Sequence, residues 1–327
     1  MQLRVLTEVW PLASTFTISR GSKTQADVVV VEIEQDGHIG RGECVPYPRY
    51  HESVAAVVAT IETLRPAIAS GLDRMQLQQR LPAGAARNAV DCAMWSLEAA
   101  QAGCRVHELL EICAPVSVTT AFTLSLGTPS QMQQAAATES RRPLLKLKLA
   151  GDGLDHERVA GVRRGAPDAR IIVDANEGGG DVDALGQLLT QLADLGVELV
   201  EQPLPADADA ELARIDHPVP LCADESCHTL QDLPRLRDRY DLVNIKLDKA
   251  GGLTEAWQLR RAAREAGMGI MVGCMVGTSL SMAPALLLAQ DADVVDLDGP
   301  LLLATDRSPG LSYRGSEVLP PPSGLWD

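Results

Sequence analysis

LLKLKLA (residues 144–150), RIIVDAN (170–176) and VELVEQP (197–203) decide how this chain is read. Each is a short apolar or β-branched run ending in charged residues, and an amphipathic stretch separates it from the next. The pattern extends both ways: VTTAFTLSL (118–126) precedes these runs, and PLCADES (220–226), DLVNIKL (241–247), GIMVGC (269–274) and DVVDLDG (293–299) follow them. Eight candidate strands thus recur roughly every 25 residues, the period of a βα unit in a closed parallel barrel. Between them ALGQLLTQLADLG (184–196) and LTEAWQLRRAAREAG (253–267) each stop at a glycine placed to end a helix. No helical stretch follows the eighth strand. An open doubly wound sheet would need a glycine-rich first βα turn, and none is present.

The first hundred residues read differently. VVVVEIEQDG (28–37) and HIGRGE (38–43) alternate like antiparallel strands, with Asp36-Gly37 as a hairpin turn. ESVAAVVATIETLRPAIA (52–69) and RNAVDCAMWSLEAAQAG (87–103) then have helical spacing, the second stopping at Gly103. The expected fold is therefore α/β: a modified (β/α)8-type TIM barrel, (β/α)7β, over residues 115–305, with an α+β capping domain over 1–114. The turn-rich tail, 306–327, is expected to return to the cap.

Composition narrows the function. With 44 acidic against 29 basic residues the net charge is −15, the wrong sign for non-specific binding to nucleic acid or an anionic membrane. The opening MQLRVLTEVWPLAS lacks a basic segment followed by an apolar core, because Glu8 interrupts it, so no signal peptide is read. The apolar stretch from Met282 to Ala289 is too short to span a bilayer. Seven cysteines without a CxxC pair fit reduced thiols, and a cytoplasmic location is expected.

In a barrel of this kind, chemistry sits at the C-terminal strand ends. There the second strand carries Lys146 and Lys148, the third Asp174, the fourth Glu201, the fifth Asp224, the sixth Lys246, and the eighth Asp296 and Asp298. Asp174, Glu201 and Asp224 on successive strands would repel one another in a poorly hydrated site unless a cation lay between them. Oxygen-only ligation with positions to spare suits Mg²⁺. Their neighbours Asn176, Gln202 and Glu225 could support the ligands or face outward. Lys146 and Lys148, two apart on a strand, point the same way, into the barrel mouth. Adjacent ammonium groups disfavour each other's charge, so one lysine is expected to have a lowered pKa and act as a base. A pair of salt bridges to the carboxylates is the alternative reading. Lys246 lies across the barrel, where it and Lys148 could flank one carbon atom, as two-base inversion requires. Mg²⁺ would stabilise the enediolate left when a proton α to a carboxylate is removed.

The set KLKLA, VDAN, VEQP, ADES and NIKLDKAGG resembles the muconate lactonizing branch of the enolase superfamily, over essentially the whole chain. The resemblance implies Mg²⁺ ligation by Asp174, Glu201 and Asp224, an acid/base pair of Lys148 and Lys246, and a helper role for Lys146. The branch includes epimerases, cycloisomerases, o-succinylbenzoate synthases and N-acylamino acid racemases, so these motifs leave the substrate open. The Asp296-x-Asp298 pair looks like that of the dipeptide epimerases, where it holds a dipeptide's free ammonium; capping loops or bridging arginines is the bland alternative. Arg20 in FTISRGSKTQ (16–25), with Lys23 nearby, resembles the arginine that recognises the glutamate side chain in L-Ala-D/L-Glu epimerases, against the alternative of a solvated loop arginine. Thr123 and Ser125 match polar mouth positions. In YPRYHES (47–53), His51 stands where the family pattern leads one to expect glycine. The expectation is a Mg²⁺-dependent dipeptide epimerase acting on a small-molecule dipeptide, with a homo-oligomer by analogy. An N-acylamino acid racemase or cycloisomerase is the rival within the family, and a non-catalytic binding barrel the rival outside it.

Overall fold

The computed structural model describes residues 1–180 and 182–326. Three antiparallel strands open the chain: β1 (Gln2–Ile18), β2 (Gly21–Gln35) and β3 (His38–Cys44), in the order β1-β2-β3. Asp36 and Gly37 both have positive φ, 52° and 81°, the backbone demanded by a tight hairpin turn. Helices α1 (Val54–Thr63), α2 (Arg65–Ala69), α3 (Arg74–Arg80) and α4 (Ala85–Ala102) follow. Ser53 caps α1 by accepting from Ala56 N, and Pro66 separates α1 from α2. β3 lies so close to α4 that a Cβ on Gly40 or Gly42 would sit 2.1 Å from a helix carbonyl oxygen.

After a short helix, α5 (Val106–Leu109), and a two-residue strand, β4 (Val118–Thr119), the parallel barrel begins. Its strands are β5 (Phe122–Leu124), β6 (Leu144–Lys148), β7 (Arg170–Asp174), β8 (Val197–Glu201), β9 (Leu221–Ala223), β10 (Leu242–Ile245), β11 (Gly269–Gly273) and β12 (Val294–Asp296). They pair in sequence order, and Ala121 N to Val295 O (2.8 Å) joins the first strand's end to the last. The connecting helices are α6 (Pro129–Thr138), α7 (Asp155–Gly165), α8 (Val182–Asp194), α9 (Leu233–Leu236), α10 (Leu247–Ala250), α11 (Leu253–Glu265) and α12 (Ser279–Ala289). Gly196 and Gly267 follow α8 and α11 with φ of 71° and 77°, as their C-terminal placement predicts.

Two details depart from the simple alternation. The run 118–126 is split between two sheets: β4 pairs with β14 (Glu317–Val318), which pairs with β13 (Tyr313–Arg314), and only β5 enters the barrel. Between β8 and β9 the connection holds only a 3₁₀ segment, Asp209–Arg214, where Pro203, Pro205, Pro218 and Pro220 leave little room for an α-helix.

Inside the barrel, one apolar layer comes from Ala121, Leu144, Ile172, Leu199, Cys222, Met271 and Val294. Two residues further along each strand stand Thr123, Lys146, Asp174, Glu201, Asp224, Gly273 and Asp296. The period of two thus stacks a polar ring directly on an apolar floor.

Buried carboxyls join the opening layer to the barrel. Asp91 on α4 accepts from Thr254 N at 2.9 Å, and Asp248 on α10 accepts from Val45 N at 3.0 Å and Asn88 Nδ2 at 2.8 Å. Burial pushes Asp91 up to about 6 and Asp248 up to about 7. Both values exceed the unfolded carboxylate value of about 4. Protonation therefore favours the folded state; the contribution is complete below that value and is lost as pH rises through 6 and 7. In urea unfolding, wild type should gain stability between about pH 8 and pH 5 relative to an Asp91→Asn/Asp248→Asn variant, by roughly 4 kcal/mol. Parallel pH profiles for the two proteins would refute this assignment.

Candidate active site

The polar ring opens into a cavity of about 440 Å³ at the C-terminal strand ends, roofed by the β1–β2 hairpin and by residues 45–50. Lys146, Lys148, Asp224, Lys246, Asp296, Asp298, Thr123 and Arg20 all line it, so strands far apart in sequence bring most of the expected residues together. Asp174 and Glu201 lie just beneath, 0% and 1% exposed.

Asp174, Glu201 and Asp224 each turn one oxygen to a common point, those atoms lying within 4.8 Å of one another. Glu201 Oε2 and Asp224 Oδ1 are buried and accept no hydrogen bond. Lysine nitrogens do approach them, Lys146 Nζ to 2.5 Å and Lys249 Nζ to 2.6 Å, but out of hydrogen-bond alignment, so the contacts are ion pairs that leave lone pairs unclaimed. Three converging carboxylates, two of them with an oxygen that accepts no hydrogen bond, in a buried, lysine-ringed pocket fit a small divalent cation such as Mg²⁺.

Charge in the site is finely divided. Lys146 Nζ donates to Asp296 Oδ2 at 2.7 Å and stands 3.5 Å from Asp174 Oδ2. Lys148 Nζ donates to Asp174 Oδ2 and Lys246 Nζ to Asp224 Oδ2, both at 2.6 Å. Burial opposes the charge of Lys146, yet Asp296, Glu201 and Asp174 outweigh burial and hold its pKa well above the usual value. Lys246 is raised in the same way, burial being overcome by Asp224 and Glu201. The lowered lysine pKa expected from Lys146–Lys148 repulsion is not found at Lys146: the surrounding carboxylates reverse the sign, and a cation sharing them would weaken their hold. Burial and Asp174 push Glu201 upward, whereas Lys246 and Lys249 overcome burial and keep Asp224 well below the carboxylate range.

The ligands' neighbours, left open by sequence, take different roles. Asn176 and Glu225 line the cavity. Gln202 faces away, donating to Leu204 O, Ser226 Oγ and Tyr240 Oη while its Oε1 accepts from Asp224 N and Ser226 N, so it fixes the backbone beside Asp224.

At the cavity's far wall, Asp296 and Asp298 are 4% and 3% exposed. Asp298 Oδ2 accepts from Thr123 N at 2.6 Å, and burial with the neighbouring Asp296 pushes Asp298 up to about 7. Asp296 Oδ1 is buried with no hydrogen-bond partner. On the roof, Arg20 donates to Asn176 O (2.9 Å), Tyr47 Oη (3.1 Å) and Glu225 Oε1 (2.8 Å), and Arg49 binds Glu177 through two hydrogen bonds of 2.6 Å. The hairpin is thereby clamped to the ends of β7 and β9. Lys23 Nζ lies 5.2 Å from the Tyr47 ring centroid, over its face. Ser125 is outside the cavity wall and accepts from Thr17 N at 2.9 Å, seating the hairpin. His51 has φ of 61°, which explains the expected glycine; its side chain is exposed and not part of the cavity lining.

Sequence reasoning passed over Lys249. This lysine is 1% exposed and bonds Asp224 O and Asn244 O, and its only sequence signal was its place three residues after Lys246 in NIKLDKAGG.

Comparison with known proteins agrees with this geometry. Residues 1–111 match the mandelate racemase / muconate lactonizing enzyme N-terminal domain, and residues 130–297 the enolase C-terminal domain-like family. The L-Ala-D/L-Glu epimerase of Escherichia coli (strain K12) is 48% identical over 97% of this chain and 98% of its own length. An N-acetyl-D-glutamate racemase of Pseudoalteromonas sp. is 46% identical, covering 91% and 95%. An enolase family member from Agrobacterium tumefaciens, with homology to dipeptide epimerases and solved with sodium and L-Ala-L-Glu, superposes with a TM-score of 0.97 at 53% identity, covering 99% of each chain. The dipeptide epimerase of Enterococcus faecalis V583, complexed with Mg and L-Leu-L-Tyr, gives 0.91 at 30% identity, covering 99% and 98%. The two domains matched in order, on a barrel that carries the acidic triad, show that this chain belongs to the mandelate racemase/muconate lactonizing enzyme family of the enolase superfamily.

Proposed function

We propose that this protein is a Mg²⁺-dependent dipeptide epimerase that inverts the α-carbon of the C-terminal residue of L-Ala-D/L-Glu. One observation carries the reading: a single cavity, floored by the carboxylate triad through Asp224, brings together lysines on the opposed strand ends β6 and β10 and Asp296 with its buried, unpartnered carboxylate oxygen. On this reading residues 1–114 are the cap, 115–305 the catalytic barrel, and 306–327 the tail that ties them.

Asp174, Glu201 and Asp224 would hold the Mg²⁺. Its positive charge, when bound, lowers the cost of the negative charge that builds on the substrate carboxylate. Lys148 or Lys246, in its neutral form, takes the α-proton; the C–H electron pair moves into the carboxylate as an enediolate; the opposite lysine, protonated, returns a proton to the other face. Lys146, pinned by Asp296 and Glu201, supplies a fixed cation beside the carboxylate. Asp296 and Asp298 bind the substrate ammonium through charge-assisted hydrogen bonds, Thr123 orients Asp298, and Arg20 pairs with the glutamate side chain.

Purified protein, Mg²⁺ and L-Ala-L-Glu in D₂O should show loss of the glutamate α-proton signal by NMR together with appearance of the other diastereomer. Absence of both would refute the reading. The N-acetyl-D-glutamate racemase relative supports a second reading, N-acylamino acid racemisation, and Asp298 separates the two. Asp298→Asn should lower kcat/KM for the free dipeptide roughly 10- to 100-fold, as expected for a lost charged hydrogen bond, without changing metal affinity. An unchanged kcat/KM, or a preference for N-acetylglutamate in wild type, would favour the rival.

All seven cysteines are free, and among the described residues no helix is long and apolar enough to cross a membrane. The proposal extends to a cytoplasmic location, which the free cysteines support, and to recycling of cell-wall peptides by a homo-oligomer without nucleic-acid or membrane partners.

A further inference from the structure

We infer that Lys249 is a positioning residue for the cation site: it holds Asp224 in ligating orientation and supplies that carboxylate's permanent counter-charge. The inference rests on the reading of Asp174, Glu201 and Asp224 as Mg²⁺ ligands.

Asp224 stands at the end of a short strand, beyond the last rung of its ladder to β10. β9 has three residues, and its parallel ladder to β10 ends at the pair Val243–Ala223, one residue before Asp224. Beyond that point the ladder supplies nothing to fix the Asp224 backbone against β10. Lys249 Nζ fills that role, donating to Asp224 O at 2.5 Å and to Asn244 O at 2.9 Å and so stapling the two strand ends together. The same nitrogen lies 2.6 Å from Asp224 Oδ1. Asn244 in turn donates from Nδ2 to Glu201 Oε1 at 2.6 Å, so a single ammonium sets the geometry around two of the three carboxylates.

Lys246 cannot do this work. It sits on the cavity side of Asp224, at Oδ2, and a lysine that exchanges protons with substrate must give up its charge and its hydrogen bond during turnover. Lys249 is 1% exposed and lies outside the cavity lining, where no substrate atom reaches it. The division is one lysine per carboxylate oxygen, a mobile one in front and a fixed one behind.

The test is Mn²⁺ titration of the full-length protein, followed by EPR of free and bound Mn²⁺, for wild type, Lys249→Met and Lys246→Met, with folding checked by circular dichroism. Lys249→Met should raise the Mn²⁺ Kd roughly 10- to 100-fold, the range for losing a residue that orients a metal ligand, and should alter the line shape of the bound ion. Lys246→Met, which removes a competing cation from the same carboxylate, should bind Mn²⁺ as tightly as wild type or more tightly. Should Lys249→Met not fold, Lys249→Gln, which keeps a donor but not the charge, is held to the same criterion. A folded Lys249 variant with a wild-type Kd and line shape overturns the inference while leaving the metal reading intact. Failure of wild type to bind Mn²⁺ overturns the metal reading itself, and this inference with it.

Discussion

Alanine in place of Lys148 or of Lys246 lowers the rate of epimerisation of L-Ala-L-Glu by roughly 10²- to 10⁴-fold, the contribution of a positioned general acid or base, yet the two variants fail differently. β6 and β10 are separated by three strands in the sheet order, so their lysines enter the cavity from opposite sides. Each variant keeps one base. In D₂O it should exchange the α-proton of one diastereomer, returning a deuteron to the face it came from, and leave the other diastereomer untouched. The two variants should choose opposite diastereomers. Exchange of both diastereomers by either variant would rule out a division of labour between the lysines. Metal affinity serves as the control, because Asp174 and Asp224 each keep a second lysine nearby, Lys146 and Lys249.

Glu201→Gln should be as damaging by another route. Glu201 is the middle carboxylate of the triad: it contacts Lys146 at 2.5 Å, accepts from Asn244 and stands 3.9 Å from Lys246. Glutamine keeps the shape and can keep one acceptor, but it removes a full negative charge from the cation's cradle. The Mn²⁺ Kd should rise more than roughly 10-fold, and kcat should fall by about 10²- to 10³-fold, or about 3–4 kcal/mol, the cost of losing one electrostatic contributor to the transition state. Chelating the metal from wild type with EDTA should give the same loss, reversed by added Mg²⁺. A Glu201→Gln enzyme that turns over normally in excess EDTA would show that the triad is structural.

The sequence was most informative where the period-two rule applies. The eight strands and the charged residues at their ends could be read because a strand exposes every second residue to the barrel axis, and an apolar residue two positions earlier marks the inward face. It was least informative where partners lie on different strands. The raised pKa of Lys146 depends on Asp296, 150 residues away. The role of Lys249 depends on Asp224, 25 residues upstream, and on a ladder that stops one residue short. The orientation of Gln202 is set by Tyr240 and Ser226, which no local pattern connects to it. The split of residues 118–126 between two sheets follows from β14, whose two residues carry almost no strand signal of their own. His51 shows the reverse case: the expectation of glycine there was correct about the backbone, and histidine tolerates that left-handed turn.

The tail has a consequence for how the chain is made. Arg307 pairs with Glu8 and with Glu43, 264 residues before it, and the Trp326 indole donates to Cys92 O, 234 residues before it. Strand pairing between β14 and β4 likewise joins residues about 200 apart. A ribosome adding roughly 5–20 residues per second finishes α4 many seconds before the residues that lock it down are synthesised. Through that interval buried groups such as Glu43 and the apolar flank of α4 lack their final cover and are open to contact with other chains. Synonymous codon changes that alter elongation speed after Ala102 should therefore change the yield of soluble protein without altering a single contact in the finished fold.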